Sequence, residues 1–289
     1  MSKRNPEYDF EWCPGCGDFG VRRAIEAALQ DHLVKTEEPA ENTVIVAGIG
    51  CSGNMVHLLE GDQHPFGIHG VHGRTLPIAM GIKMGRPELN VVIVAGDGDF
   101  LSIGAEHIGP QAARNLDVTV VVMDNGVYGL TKGQSSPTTH FDAVTSTTPF
   151  GKMEAQMNPL EFYLTLGASY VANSYSSKVK DLTGLITNGM DHRGFSVVHV
   201  QSPCTTYNDT HEILRGNPRK DIKPLTWDIG PDHDRTDLKQ AHALTQAEGV
   251  PLGVFYERRD SVPFHQQVAG AVAKGNERTA RELLDSFDL

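Results

Sequence analysis

No stretch of the chain approaches the roughly 20 apolar residues that span a bilayer. Residues Met1 to Asp9 are polar and charged and lack the apolar centre of a signal peptide. A membrane protein and an exported one are both disfavoured, and a cytoplasmic location is expected. Basic charge is scarce as well: 36 acidic residues outweigh 25 Lys and Arg, for a net charge of −11. A protein that holds a phosphate backbone needs clustered cations, so nucleic acid is not an expected partner. The one basic stretch, Arg215 to Lys223, is interrupted by Pro218 and Asp221, ends at Pro224, and reads as a solvated loop. The sequence has no internal repeat and no low-complexity tract. Cysteine is rare, with four in 289 residues. In a cytosolic chain, four thiols are better read as metal ligands or redox groups than as disulfides.

The rest of the composition is ordinary for a globular protein, with 39% hydrophobic residues, 21% charged residues and 30 glycines. The length allows one large α/β domain or two small ones. What recurs is a short β-branched run that ends in a polar or glycine-rich turn. Thr43–Ile49 ends at Gly50-Cys51-Ser52-Gly53, and Asn90–Ala95 at Gly96-Asp97-Gly98-Asp99. Val118–Met123 ends at Asp124-Asn125-Gly126, and Ser196–Val200 runs into Ser202-Pro203-Cys204. Continuous apolar runs suit strands covered on both faces, as in a parallel sheet. Helical patterns lie between them: Phe19–Leu33, with Val21, Ile25, Ala28 and Leu29 at helical spacing, then Thr75–Met84, Ser102–Arg114 and Lys178–Met190. The alternation predicts a doubly wound α/β fold with a mostly parallel sheet. Ligands of such sheets bind beyond the carboxyl ends of the strands, which here gather Cys51, Asp97, Asn125 and Cys204 on one edge.

Twenty-six residues separate Gly98 from Asn125, room for a helix and a return strand. Asp97 and Asn125 should therefore sit at neighbouring strand ends. Mg²⁺ takes oxygen ligands, usually one or two carboxylates together with phosphate oxygens. Asp97 offers a carboxylate, Asn125 an amide oxygen, and the turn near Val127 a backbone carbonyl. The glycines permit close approach of a diphosphate, and the helix expected from Ser102 offers free N–H groups. A lone Gly-Asp-Gly is more often a tight turn; paired with an Asn at this interval, each closing a buried strand, it favours a Mg²⁺–diphosphate site.

Cys13-Pro14-Gly15-Cys16 is a C-x-x-C loop that can chelate a metal or carry out dithiol chemistry. If the sheet brings it to Cys51 and Cys204, the four thiolates suit a [4Fe–4S] cluster or structural Zn²⁺ equally well on count alone. His69-x-x-His72 has the look of a metal pair, but with His64 it lies on a glycine-rich loop (residues 61–74) rather than a rigid helix. His57 and His107 have helical neighbours and read as structural.

The segments GDGDFLSIG, from Gly96, and VVVMDNGVYGLTKGQSSPTT, from Val120, resemble the thiamine-diphosphate motif. More narrowly, they resemble the β subunits of 2-oxoacid:ferredoxin oxidoreductases. The likeness runs from Trp12 to about Cys204 and continues weakly through Gly249–Arg258 to Phe264. It implies a sheet of the thiamine-diphosphate-binding type and Mg²⁺ ligation by Asp97, Asn125 and the Val127 carbonyl. It also implies thiamine diphosphate contacts from Ile49, Gly50, Cys51, Ser52, His72, Gly98, Asp99, Gly129 and Leu130. One [4Fe–4S] cluster falls on Cys13, Cys16, Cys51 and Cys204. Substrate recognition falls on Asn54 and Leu130, although some broad-specificity members carry a basic residue where this chain has Asn54.

The implied reaction is oxidative decarboxylation of a 2-oxo acid with coenzyme A, giving an acyl-CoA and CO₂, near reversible, with electrons passing through the cluster to ferredoxin. The glutamate that activates thiamine has no match in this chain. The resemblance assigns it to a separate α subunit in an (αβ)₂ assembly, so no catalytic side chain is placed here. HGRTLPIAMGIKMGRPEL, from His72, resembles the 2-oxoglutarate and broad-specificity branch more than the pyruvate branch. Residues 1–204 are expected to form the cofactor domain. Residues 205–289, with a loop at Tyr207–Lys223 and helices within Thr236–Glu248 and Ala271–Phe287, are expected to pack on it and on the partner. Two rivals are non-redox thiamine chemistry, which needs no cysteine cluster, and a zinc-stapled binding module.

Overall fold

A computed structural model describes residues 12–59, 65–275 and 278–287. His64 and the segment before Trp12 lie outside the described residues. The strands are β1 (Thr43–Ala47), β2 (Phe66–His69), β3 (Asn90–Gly96), β4 (Val118–Asp124), β5 (Val127–Tyr128), β6 (Gln134–Ser135), β7 (Tyr170–Tyr175), β8 (Phe195–Gln201), β9 (Thr226–Asp228) and β10 (Val250–Glu257). Eight of them form one sheet in the order β2-β1-β3-β4-β8-β7-β10-β9, and β5 pairs with β6 in a small separate ribbon. All neighbours in the large sheet are parallel except β7 and β10. The chain leaves β1 for β2 on one side and returns to β3 on the other. The carboxyl ends of β1 and β3 therefore flank a point where the winding reverses, the crevice in which doubly wound sheets hold ligands.

The helices are α1 (Asp18–Thr36), α2 (Met55–Leu58), α3 (Thr75–Gly85), α4 (Ala105–Arg114), α5 (Pro159–Thr165), α6 (Val179–Asp191), α7 (His211–Arg215), α8 (Leu238–Thr245), α9 (Phe264–Gly275) and α10 (Ala280–Asp285). Alternate strand residues face opposite layers. Val91, Ile93 and Ala95 of β3 and Val118, Val120 and Val122 of β4 pack with Leu76 and Ala79 of α3, Ile108 of α4 and Tyr163 of α5. Val92, Val94, Val121 and Met123 pack with Val21, Ala24 and Ile25 of α1 and Leu182 and Ile186 of α6. Every residue of β4 is buried, which is why its run shows no polar alternation. Each such side chain contributes about 1.5–3 kcal/mol relative to exposure. Among the described residues, no helix is long and apolar enough to cross a membrane.

The four strands and the helices α1, α3 and α6 stand where the sequence reading placed them, within three residues. Four differences matter. The helix expected from Ser102 begins earlier, as a π-helical turn over Asp99–Ile103 that leads into α4. The expected loop at Tyr207–Lys223 contains α7 and a 3₁₀ turn at Pro218–Lys220, capped by the Asn217 side chain. The helical stretch expected from Ala271 begins earlier, with α9 at Phe264, and is followed by α10, opened by a Thr279–Glu282 capping box. Four strands of the large sheet, β2, β7, β9 and β10, were not foreseen; β2 is exposed along its length and β9 has only three residues, so neither makes an apolar run.

Candidate thiamine-diphosphate and cluster site

The parallel pairing of β3 with β4 matches Gly96 with Met123, so Asp97 and Asp124 leave the sheet side by side. Both are buried. The Thr138 hydroxyl lies between them, 2.8 Å from Asp97 Oδ2 and 2.7 Å from Asp124 Oδ1. Asp124 also accepts from the Gly126 N–H at 2.9 Å and faces His199 Nε2 at 3.0 Å. Burial alone would raise Asp124, yet the His199 contact holds it below the usual carboxylate range. Burial, reinforced by the Asp124 charge, pushes the Asp97 carboxyl up to about 7. No Lys or Arg within 4 Å offsets either carboxylate among the described residues. Asn125 follows, with its Oδ1 accepting from the Val127 N–H at 3.0 Å. Two carboxylates without a cation, beside an amide oxygen with a spare lone pair, form an oxygen-rich pair of strand ends that suits a hard divalent ion.

The π-helical turn after Gly98 swings Asp99 back beneath β1. Its Oδ1 accepts the Ile49 and Gly73 N–H groups, each at 2.9 Å, and meets His72 Nδ1 at 2.6 Å. Asp99 is 2% exposed. Its carboxylate therefore anchors the β1 turn and the ring of His72, a residue that lines the cleft and whose Nε2 is not engaged by Asp99. Gly73 has φ +68, and a Cβ there would come within 2.6 Å of Ile103, so a side chain would be strained twice over. At Gly98 a Cβ would come within 2.3 Å of the Tyr128 ring. Tyr128 closes this side of the cleft and donates to Gly98 O at 3.2 Å.

The residues tied to thiamine diphosphate by resemblance meet in this one cleft. Ile49, Gly50, Cys51 and Ser52 form one wall; Asp97, Gly98, Asp99 and His72 form the second. Asn125, Val127, Gly129 and Leu130 form the third. Among the described residues, none that lines the cleft is Lys or Arg. Two buried oxygens beside it, Ser52 Oγ and Asp99 Oδ2, have no hydrogen-bond partner. Asn54 stands apart: it is buried and does not line the cleft. His69 and His72 also diverge, His69 toward His57 at 3.0 Å and His72 toward Asp99, so they form no metal pair. Thr138, Tyr128 and His199 were missed. A lone His within the apolar run of β8 was the one available signal that a buried carboxylate lay opposite.

The cysteine end joins the same cleft. The Cys13–Cys16 loop docks on the segment after β8, with Gly17 N–H donating to Pro203 O at 3.0 Å and Thr205 Oγ1 to Pro14 O at 3.1 Å. Trp12 Nε1 donates to Cys51 O at 2.7 Å. A Cβ on Gly129 would lie 3.5 Å from Cys51 Sγ and 3.8 Å from Cys204 Sγ, so both sulfurs border that glycine. None of the four cysteines is disulfide-bonded. Burial and then Asp18 push the Cys16 and Cys51 thiols upward, Cys51 to about 12. Cys51 also feels Cys204 and Cys13. Asp18, buried and bonded to the Ser202 hydroxyl, is itself raised by burial to about 6. Among the described residues, no three His, Cys, Asp or Glu side chains close in as a single-ion site would require.

A doubly wound sheet with this strand-end cleft defines a thiamine-dependent enzyme domain, and residues 48–200 match the family described as thiamine pyrophosphate enzyme, C-terminal TPP binding domain. Residues 204–272 match the family described as the C terminal of the pyruvate ferredoxin oxidoreductase beta subunit. The 2-oxoacid:ferredoxin oxidoreductase subunit beta of Saccharolobus solfataricus is 36% identical over 90% of this chain and 85% of its own. The 2-oxoglutarate synthase subunit KorB of Archaeoglobus fulgidus is 40% identical over 68% of this chain and 70% of its own. The solved 2-oxoglutarate:ferredoxin oxidoreductase of Magnetococcus marinus, with 2-oxoglutarate, coenzyme A and succinyl-CoA bound, superposes with a TM-score of 0.82 at 34% identity, covering 98% of this chain and 94% of that one. The chain belongs to the β-subunit family of the 2-oxoacid:ferredoxin oxidoreductases, and these relatives support the 2-oxoglutarate branch.

Proposed function

We propose that this chain, paired with an α subunit in an (αβ)₂ enzyme, takes part in oxidative decarboxylation of 2-oxoglutarate with coenzyme A to succinyl-CoA and CO₂, with ferredoxin as electron acceptor. The supporting observation is the convergence at Gly129, where the Cys51 and Cys204 sulfurs and the Asn125 amide border the same position. Redox ligands and the diphosphate cleft thus share one wall.

Thiamine diphosphate supplies, when bound, the carbanion chemistry and the electron sink that a 2-oxo acid requires. Its fit rests on the cation-free carboxylates, the glycine-lined wall and the orphaned Ser52 hydroxyl. Asp97, Asn125 and the Val127 carbonyl would hold Mg²⁺; His72 and the backbone around Gly98 and Gly50 would hold the diphosphate. Thr138 orients Asp97, and His199 orients Asp124 behind it. Cys13, Cys16, Cys51 and Cys204 would hold a [4Fe–4S] cluster. Four thiols suit a cluster or zinc on count alone; the position of Cys51 and Cys204 beside the wall of the cofactor cleft favours the redox cluster. Metal loading must displace the protons that burial holds on Cys16 and Cys51. Leu130, 52% exposed at the cleft rim, can meet substrate; buried Asn54 can act only through the turn it belongs to. We assign residues 1–204 to the cofactor domain and 205–289 to an extension that reaches the partner, and a cytoplasmic setting suits such chemistry.

A broader 2-oxoacid specificity is the second reading, because the Saccharolobus relative carries that broader description. The test is anaerobic purification with the α subunit, an iron, sulfide and zinc assay, and turnover on 2-oxoglutarate and pyruvate. About four irons and four sulfides per chain are expected, with 2-oxoglutarate preferred. One zinc and no iron would remove the electron path; equal turnover of both acids would favour the broader specificity.

A further inference from the structure

The edge of the sheet opposite the cleft holds a hollow of about 350 Å³. It lies where the turn before β8, the end of β10 and the segment after β9 meet. Among the described residues, Arg193, Arg235, Arg258 and Arg259 line it together with His192, Asn188, Ser261 and two carboxylates, Asp191 and Glu257. On a chain of net charge −11 this is a local reversal of sign. The nearby carboxylates do not cancel it. Glu257 is taken by Arg235 at 3.3 Å, and Asp191 by Lys35 at 2.6 Å. Arg193 lies 3.9 Å from Asp117, which is already held by Lys83 at 3.1 Å. Among the described residues, Arg258 and Arg259 have no carboxylate within 4 Å; Asp234 is within electrostatic range of Arg259 but is fully exposed and bonded to Thr236. Burial holds the His192 imidazole below its usual range, so it adds a neutral donor or acceptor rather than another charge.

We propose that this hollow is a second binding site, one for a compact anion of the phosphate and diphosphate class, held by Arg193, Arg258 and Arg259. Guanidinium groups present planar pairs of donors that match phosphate oxygens, and such charge-assisted bonds are about twice as strong as neutral ones. The lining side chains are all charged or polar, so recognition falls on the charged group of the ligand. The seven-residue β8 separates the hollow from the cysteine end by roughly 20 Å at about 3.3 Å per residue. A ligand here is therefore distinct from a cofactor held in the cleft, and the inference does not rest on the proposed reaction.

The test uses the assembled enzyme, saturated with thiamine diphosphate and buffered in free Mg²⁺ so that the other cleft is filled. Inorganic pyrophosphate is titrated at constant ionic strength by calorimetry, with thermal melts alongside and sodium chloride as the control. One saturable site per β chain is expected, with a rise in melting temperature beyond the salt control. The R258Q/R259Q pair should weaken binding at least about tenfold with turnover unchanged, and both arginines are exposed enough to be replaced without unfolding. R193Q should show a smaller loss in the same direction. No saturable binding, unchanged affinity in the double variant, or binding by the isolated chain that vanishes in the assembled enzyme would each overturn the proposal; the last would assign the arginines to the subunit interface.

Discussion

The two ends of the sheet treat buried charge in opposite ways. At the amino ends of the strands, Lys83 is 3% exposed and fully partnered: its Nζ donates to Pro87 O at 2.8 Å, Leu89 O at 2.9 Å and Asp117 Oδ2 at 3.1 Å. Asp191 is paired with Lys35. At the carboxyl ends, Asp18, Asp97, Asp99 and Asp124 are each buried, and no Lys or Arg within 4 Å balances any of them among the described residues. Their partners are hydroxyls, backbone N–H groups and imidazoles. A buried charge without a counter-charge is expensive to keep. The unbalanced carboxylates at the carboxyl edge, the open end, are what a cation would stabilise, in line with the Mg²⁺–diphosphate site proposed above; the buried cation of the amino edge, the closed end, already has its partners within the chain.

The largest expected effect tests the closed end. Lys83→Ala leaves the half-buried Asp117 with the Gly194 N–H at 3.0 Å and only the distant Arg193 and His265 as side-chain partners, and removing one partner of a buried pair costs about 3–5 kcal/mol. A urea midpoint should record that loss while thiamine diphosphate affinity, measured by calorimetry, stays within error. A comparable loss of affinity would mean that the two ends are not separable.

Next in size is the pH dependence of the open end, measured on the metal-free chain. Asp18 is raised from 3.8 to about 6 and Asp97 to about 7. A raised carboxyl favours the folded state in its neutral form. That stability is complete below about pH 3.8 and is lost as pH climbs through 6 and 7. For Asp18 the swing is on the order of 3 kcal/mol. Asp18→Asn should flatten the fall between pH 4 and 6 relative to the parent chain, and Mg²⁺ with thiamine diphosphate should flatten the part above 6. Parallel curves for parent and variant would contradict the buried-acid assignment.

Much of this edge was legible in the sequence because strand ends in a doubly wound sheet carry their chemistry in contiguous motifs. Asp97 and Asn125 fall on adjacent strands, as the interval between them requires, and the C-x-x-C loop does reach Cys51 and Cys204. What was hidden acts across the sheet rather than along it. Nothing in Ser135-Ser136-Pro137-Thr138-Thr139 says that one hydroxyl bridges two aspartates. The π-helical turn depends on how Asp99 folds back under Ile49 and Gly73, a contact fifty and twenty-six residues away in sequence. The antiparallel β10 was invisible as a strand because Pro251 and Gly253 interrupt its run, yet its Pro251 carbonyl is satisfied by Asn173. The arginine hollow drew no notice because its residues come from three distant segments.

Thr138→Val isolates the bridge between the carboxylates. Losing an orienting partner behind a metal ligand typically costs 10–100-fold in metal affinity, and Mg²⁺ titration of thiamine diphosphate binding should show a loss in that range. Thr138→Ser, which keeps the hydroxyl, should restore most of it. If the valine variant binds Mg²⁺ as the parent does, the bridge is packing rather than positioning.

The smallest effect is the most discriminating. The sequence places Asp99 among the cofactor contacts, whereas the structure gives its carboxylate three donors from the protein, Ile49 N–H, Gly73 N–H and His72. Asp99→Asn keeps an oxygen for the two N–H groups and removes only the charge that favours the His72 bond. The difference between a charge-assisted and a neutral hydrogen bond is about 1 kcal/mol, so thiamine diphosphate should bind roughly five-fold more weakly, with the change carried by the His72 ring. Nitrogen chemical shifts of that imidazole should move in Asp99→Asn, and adding Asp99→Asn to His72→Asn should weaken binding no further. A loss as deep as that of an Asp97 variant, or one that adds to His72→Asn, would return Asp99 to direct contact with the diphosphate. It would also show that the open edge offers the cofactor its own carboxylate rather than an imidazole aimed by one.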